Sequence, residues 1–253
     1  MNKIEYDKWK EENHADSVNH SQNKLSAGHR PQFSTSLLVA LTGGIGCGKT
    51  TILNEFRKLG IPCFVADEVA GAYYSDSAFL SQVRDLLGDR VFRSDGTVDK
   101  QAIASIVFAD PAMLQRLNAL VHPRVWDDFV RFASQHTDAP YILFESAIVY
   151  EYGFDRLVDK VICVYLEKEE RLRRLELRDH ATRAQLEARM ANQLSAEEKM
   201  MRADYIVLNY EGNPRPRQVL YIHQLLLAGH CQSNAKIMKM ISFAPILPTM
   251  DCT

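Results

Sequence analysis

The sequence predicts an α/β fold in which a parallel sheet is flanked by helices. Segments of helical periodicity alternate with apolar runs typical of strands, at 37–42, 61–66, 141–145, 158–166 and 204–208. This alternation favours parallel strands that are covered by helices on both faces. With 253 residues, of which 46% are hydrophobic and 25% charged, the chain is long enough to bury one substantial core.

The connection between the second and third strands is too long for a single crossover. It covers about 68–139 and shows helical patterns without a clear strand, at 78–87, 100–108, 111–121 and 124–134. We therefore expect a helical subdomain inserted into a domain that spans 37–229. Residues 1–36 are polar and charged, which predicts a disordered or poorly ordered tail, and 230–253 predict a C-terminal appendage.

Composition excludes several classes of protein. The net charge of −2 gives no electrostatic reason to expect nucleic acid or an anionic membrane as a partner. Five cysteines are scattered without a CxxC pair, so neither a disulfide framework nor a zinc site is indicated. No signal-peptide core and no membrane span is apparent, which predicts a cytoplasmic protein. The sequence carries no signal for an oligomeric state.

The most informative motif is a glycine-rich loop, G-x-x-x-x-G-K-[ST], directly after the first strand. Its glycines let backbone N–H groups converge on an anion at the start of a helix. The sequence thus predicts a P-loop NTPase-type sheet that binds a nucleoside triphosphate, with Lys49 at the β- and γ-phosphates and Thr50 on Mg²⁺. Cys47 is interpreted as a small residue that fits the loop, rather than as a redox-sensitive thiol. The residues expected at the triphosphate are Gly43, Gly44, Ile45, Gly46, Cys47, Gly48, Lys49, Thr50 and Thr51.

A carboxylate, Asp67, follows the second strand. The carboxyl ends of strands face the ligand crevice in doubly wound sheets, so Asp67 can accept a proton from an incoming hydroxyl or help to hold Mg²⁺. The alternative is that Asp67 only caps a helix that starts near Val69.

An arginine-rich segment at 169–189 is the third informative feature. Arg171, Arg174 and Arg178 share one helical face, and such arginines on a lid stabilise the charge of a transferring phosphoryl group. The alternative is a solvated helix with i,i+4 ion pairs. A guanine-binding N-K-x-D motif is missing downstream of the loop, which favours a kinase over a nucleotide-dependent switch.

Taken in order, the motifs resemble those of the dephospho-coenzyme A kinase family, over about 37–227. Besides the loop and Asp67, the resemblance rests on Leu117 to Pro123 with its His-Pro step, on Ala147 to Glu151, and on Arg174 with the pair Arg178-Asp179. Gln193, Ala203-Asp204 and Asn209 complete it. The chain departs from the family pattern at Val65, where an acid is usual, and at Ala147, where proline is usual.

The resemblance implies transfer of the γ-phosphoryl group of ATP to the ribose 3′-hydroxyl of dephospho-coenzyme A, with Mg²⁺. It implies a helical lid at about 168–195 that carries Arg174 and Arg178, and an acceptor-binding role for the inserted subdomain. Asn209 is expected near the adenine. His122 and Glu151 are expected on the acceptor side, although His122 could be a buried anchor and Glu151 an orienting residue. A kinase of another small acceptor, such as a nucleoside monophosphate or shikimate, remains the alternative.

Overall fold

Five parallel strands form one sheet in the order β2-β3-β1-β4-β5. The computed structural model describes residues 36–230, so the two predicted tails lie outside the described residues except for Ser36 and His230. All five predicted strands are confirmed, three of them shortened at their ends. Their bounds are Leu37–Thr42 for β1, Cys63–Val65 for β2, Tyr141–Glu145 for β3, Lys160–Tyr165 for β4 and Tyr205–Leu208 for β5.

Nine α-helices connect and follow these strands within residues 36–230. They are α1 (Lys49–Lys58), α2 (Ala66–Ala72), α3 (Ser77–Leu87), α4 (Lys100–Ala109), α5 (Pro111–Ser134), α6 (Lys168–Asp179), α7 (Arg183–Ala191), α8 (Ala196–Arg202) and α9 (Arg215–His230). None of these helices is long and apolar enough to cross a membrane.

The central strand β1 shows why the sheet is covered on both sides. Successive side chains of a strand point to opposite faces. Leu38 and Ala40 belong to a buried cluster that includes aromatic residues of α5, whereas Val39 and Leu41 pack with α1 and α9. Because both faces are buried, β1 is continuously apolar from Leu37 to Leu41 instead of alternating, as expected for a parallel sheet.

The connection from β2 to β3 is helical, as the sequence predicts, and it has an apolar cluster of its own. Three aspartates, Asp76, Asp99 and Asp110, accept backbone hydrogen bonds at the starts of α3, α4 and α5. The buried members of the cluster are Phe79, Val83, Leu87, Val91, Ile103, Val107 and Leu117.

The two helical patterns predicted at 111–121 and 124–134 belong to one helix, because α5 runs without interruption through His122 and Pro123. Proline removes one backbone donor and crowds the preceding turn, which usually ends a helix. Buried residues on both sides of Pro123, among them Leu117, Val125 and Phe129, hold the two halves in line. Tertiary packing therefore overrides the local preference.

The helix α2 begins earlier than the sequence indicates. Its first residue is Ala66 and its N-cap is Val65, so Asp67 lies in the first turn and the capping role considered for it is wrong. The strand β2 ends where the helix begins. A carboxylate in the first turn interacts favourably with the positive end of the helix dipole. The Asp67 side chain does not cap the helix.

Candidate active site

The glycine-rich loop lies at the carboxyl end of β1, in the middle of the sheet. Gly46 and Gly48 have φ values of 81° and 88°, a backbone conformation that favours glycine. A Cβ atom on Gly48 would collide with the amide of Asn209, and one on Gly46 would lie 2.8 Å from Leu175 Cγ. Gly48 is also the N-cap of α1 and supplies no side-chain acceptor to the start of the helix, where an anion can bind; the N–H of Thr51 donates to the Gly48 carbonyl at 3.1 Å.

Lys49 and Glu145 form the most buried charged contact of the loop. Lys49 Nζ donates a hydrogen bond to the Gly43 carbonyl at 3.2 Å and lies 4.0 Å from Glu145 Oε1. Glu145 is the last residue of β3 and is only 5% exposed. Burial raises the pKa of Glu145 to about 7, and the positive charge of Lys49 partly opposes that shift. The pair therefore places a titratable carboxyl beside the loop.

A cleft of about 620 Å³ opens over the loop, a volume in the usual range for a small-molecule site. It brings together the predicted residues Lys49, Thr50, Asp67, Arg174 and Arg178. Strand register explains part of this arrangement, since Val65 and Leu41 both lie level with Glu145 in the sheet. The other lining residues are Ile45, Gly46, Gly48, Thr51, Val65, Glu68, Glu145, Ala147, Leu175, Gln193, Asn209 and Arg215.

The arginines of α6 are held by acidic neighbours on their own helix. Arg174 Nε donates to Glu170 at 2.8 Å, and its Nη2 donates to the Asn209 carbonyl at 3.3 Å. Arg178 pairs with Asp179 at 2.6 Å, and its side chain is 64% exposed. Intrahelical pairs of the kind considered as an alternative therefore exist, and both arginines nevertheless line the cleft.

Asn209 follows β5 and ties the end of the sheet to the loop. Its amide donates to the Cys47 carbonyl at 2.7 Å, and its side-chain oxygen accepts from Arg215 Nε at 2.5 Å. Cys47 itself is fully buried, and burial raises the pKa of its thiol. This environment suits a packing residue better than a reactive one.

His122 lies away from the cleft lining. It is 7% exposed, and its ring centroid is 3.8 Å from that of Tyr152 in an edge-on contact. Burial lowers the pKa of His122 to about 4, so the imidazole is neutral near pH 7. The geometry is that of the buried anchor considered from sequence, and the acceptor contact stays a prediction.

Glu151 is engaged in a buried ion pair that the sequence does not reveal. Its Oε1 lies 2.7 Å from Lys199 Nζ and accepts from the Leu194 N–H at 2.9 Å. Lys199 is fully buried and also donates to the carbonyl of Ala147, which lines the cleft. This pair fits the orienting role considered for Glu151. Sequence reasoning misses Lys199, because the residue lies in a short helix rich in charged side chains and no pattern there indicates that it is buried.

A glycine-rich loop of this type in the middle of a parallel sheet, with arginines of a neighbouring helix facing it, defines a P-loop kinase. Residues 37–214 match the family described as dephospho-CoA kinase. The dephospho-CoA kinase of Aeromonas hydrophila is 33% identical over 205 residues, which cover 79% of this chain and 99% of the relative. That of Bacteroides fragilis strain YCH46 is 33% identical over 186 residues, covering 73% and 90%. The chain belongs to the dephospho-CoA kinase family.

Solved structures agree with this fold. TT1252 from Thermus thermophilus has 28% sequence identity and a TM-score of 0.69, and the match covers 76% of this chain and 98% of that one. Dephospho-CoA kinase from Campylobacter jejuni matches at 22% identity and a TM-score of 0.50 with the same coverage, which supports the fold alone. The predicted family and fold class are thus confirmed, and the chain is a kinase.

Proposed function

We propose that the cleft transfers the γ-phosphoryl group of ATP to the ribose 3′-hydroxyl of dephospho-coenzyme A. The products are coenzyme A and ADP, and the reaction is the last step of coenzyme A synthesis. The observation that carries the proposal is that Lys49, Thr50, Asp67, Arg174 and Arg178 line one cleft in a chain of this family.

The loop is the binding site for the triphosphate. Backbone N–H groups of Gly44 to Thr51 and the ammonium group of Lys49 provide the positive environment that phosphates require. Asn209 supports the loop through Cys47 and faces the cleft, where it is placed to border the adenine. Lys49 is held by the Gly43 carbonyl and Asn209 by the Cys47 carbonyl, so both side chains already have a defined position beside the loop.

The donor set fits Mg²⁺ as the accompanying ion. Thr50 offers a hydroxyl in the first turn of α1, and Asp67 and Glu145 line the same cleft. Residues 36–230 contain no cluster of three His, Cys, Asp or Glu that could hold a metal without the nucleotide. Mg²⁺ usually takes only one or two protein ligands and completes its shell with phosphates and water. Bound with ATP, it neutralises charge on the β- and γ-phosphates.

Asp67 is the proposed base. Its carboxylate lies at the cleft edge of β2 and α2 and accepts the proton as the ribose oxygen bonds to the γ-phosphorus. The bond from that phosphorus to the β,γ-bridging oxygen breaks, and ADP leaves with the bonding electrons. Val65 replaces the usual first acid, and the other carboxylates that line this cleft are Glu68 of α2 and Glu145 of β3.

The helices α6 and α7 act as the lid. Arg178 is exposed and paired only within its own helix, so it can exchange Asp179 for the transferring phosphoryl group at small cost. Arg174 lies deeper, between Glu170 and Asn209, where it can contact the phosphates or the adenine ring of ATP. Both charges are placed to stabilise the transition state.

The helical connection between β2 and β3 is the proposed acceptor-binding subdomain, at 68–139. It begins directly after Asp67, and α3, α4 and the first part of α5 pack around an apolar cluster of their own. We place the protein in the cytoplasm, where ATP and the acceptor are available, and propose no nucleic-acid or membrane partner.

The test is an ADP-release assay with purified protein, ATP and Mg²⁺, run with and without dephospho-coenzyme A. We expect ADP release to depend on this acceptor and to far exceed that with AMP or shikimate. The product is checked by mass for one added phosphoryl group at the 3′ position. A dominant activity with AMP or shikimate would assign another acceptor, and equal release without any acceptor would indicate a nucleotide-hydrolysing switch.

A further inference from the structure

Arg171 is a buried cation that has no counter-ion among residues 36–230. The residue is 6% exposed, and its Nε atom is buried without a hydrogen-bond partner. Three other arginines of α6 each pair with a carboxylate, namely Arg173 and Arg174 with Glu170 and Arg178 with Asp179. Arg171 is therefore an exception on a helix whose other arginines are neutralised.

The guanidinium group of Arg171 packs against the phosphate-binding loop. A Cβ atom on Gly44 would collide with Arg171 Nη1 and would lie 3.2 Å from its Cζ. The charge also acts on the thiol of Cys47, whose pKa it lowers against the larger effect of burial. The guanidinium thus occupies the space that a side chain at Gly44 would need, next to the backbone that holds the phosphates.

A buried charge without a partner is unfavourable, and arginine does not escape the cost by losing its proton. Buried charges in proteins are normally paired, and a bound ligand is one source of the opposite charge. Of the other cations near the loop, Lys49 already has Glu145 at 4.0 Å, and Arg215 is only half-buried and donates to the Asn209 side chain. Arg171 is thus the cation beside the loop whose electrostatic environment most requires an anion.

We propose that Arg171 is a nucleotide-affinity residue whose counter-charge is the polyphosphate chain bound in the loop. The inference rests on the proposed function, because it needs a nucleoside di- or triphosphate at this site. Arg171 then destabilises the empty protein and stabilises the nucleotide complex. It is a binding residue that acts across Gly44, and the phosphoryl transfer itself is left to the cleft residues.

The test compares Arg171→Met with Arg173→Met, a control on the same helix whose side chain is 62% exposed. ADP binding is measured by calorimetry without acceptor, at two salt concentrations, and the melting temperature is recorded with and without ADP. For Arg171→Met we expect at least about a tenfold loss of ADP affinity, together with an unchanged or higher melting temperature of the empty protein. Arg173→Met should stay within about twofold of the parent in both measurements.

A second pair of variants covers a loss of folding in Arg171→Met. Arg171→Lys and Arg171→Gln are both polar and differ in charge, so ADP affinity should be retained better by Arg171→Lys. Inorganic tripolyphosphate, which has no base or ribose, should show the same order. Equal affinity in all Arg171 variants and the parent overturns the inference. If the parent protein itself does not bind ADP, it is the proposed function that fails.

Discussion

The phosphate-binding loop and the exposed arginines of α6 hold their polar groups in opposite ways. At the loop, Lys49 contacts the Gly43 carbonyl and Glu145, and Asn209 donates to the Cys47 carbonyl. These contacts are largely shielded from solvent. Along α6, Arg173 and Arg178 are exposed and pair with carboxylates one or three positions away. One region is organised by burial and the other by local surface ion pairs.

The difference determines what each region can contribute. Exposed ion pairs are worth about 0–1 kcal/mol, so an arginine of α6 can change partners at little cost. Buried charges with fixed hydrogen bonds lose much more when a partner is removed, and they need no rearrangement to stabilise a bound anion. The loop is therefore suited to binding the nucleotide, and α6 is suited to completing the site only when the phosphoryl group moves.

The largest effect is expected from Lys49→Met, which removes the fixed cation at the loop. Turnover should fall about 10³-fold or more, because preorganised charge at the phosphates is a dominant part of catalysis. The measurement is acceptor-dependent ADP release. Lys58→Met is the control, since Lys58 belongs to the same helix and its side chain is 69% exposed. Near-normal turnover in Lys49→Met would mean that the buried loop is not the catalytic region.

Asp67→Asn tests the proposed general base at the edge of the cleft. Turnover should fall roughly 10²-fold or more through loss of the proton acceptor. The free energy of unfolding should change by less than about 1 kcal/mol, since only a charge in the first turn of α2 is lost. Glu68→Gln is the matched control, because it removes the neighbouring carboxylate of the same cleft. If Glu68→Gln is the variant that loses turnover, the base is Glu68.

Arg178→Ala tests whether the α6 arginines act mainly in the transition state. We expect turnover to fall about 10²-fold, with a much smaller change in the Michaelis constant for ATP. Arg183→Ala provides the comparison, because Arg183 is similarly exposed and pairs with Glu169. A large rise in the Michaelis constant at unchanged turnover would instead make Arg178 a ground-state binding residue.

The last prediction concerns stability and its dependence on pH. The pKa of Glu145 is about 7 in the folded protein against an ordinary value of 4.5, so the folded state binds more protons between these values. Its contribution is fully present below pH 4.5 and is lost as the pH rises through 7. Glu145→Gln should therefore gain stability relative to the parent on going from pH 5 to pH 8, by at most roughly 3 kcal/mol.

The control for that experiment is Glu170→Gln on α6. Ion pairing with Arg173 and Arg174 lowers the pKa of Glu170 to about 2, so its difference from the parent should be flat between pH 5 and pH 8. Denaturant unfolding of the nucleotide-free proteins at each pH measures both differences. Equal slopes for the two variants would contradict the contrast between the two regions.

The sequence was sufficient to predict those features that repeat along the chain or have a fixed spacing. The strands follow from apolar runs, and the loop and Asp67 follow from their positions after β1 and β2. The continuity of α5 through Pro123 could not be predicted, because packing of Val125 and Phe129 outweighs the local cost of proline. The buried pair of Glu151 and Lys199 was also missed, since its partners are 48 positions apart in the chain and each looks like a surface charge.

The order of the strands has a consequence for changing the substrate. Asp67 and the helical connection belong to the β2–β3 side of the sheet, whereas Asn209 and α6 belong to the β4–β5 side. Under the proposed function, the acceptor and the nucleotide are thus recognised by segments that are separate along the chain. Replacing α3 and α4 of the β2–β3 connection, while keeping the α5 residues that cover β1, is accordingly the direct route to a phosphotransferase with a new acceptor and an unchanged nucleotide preference.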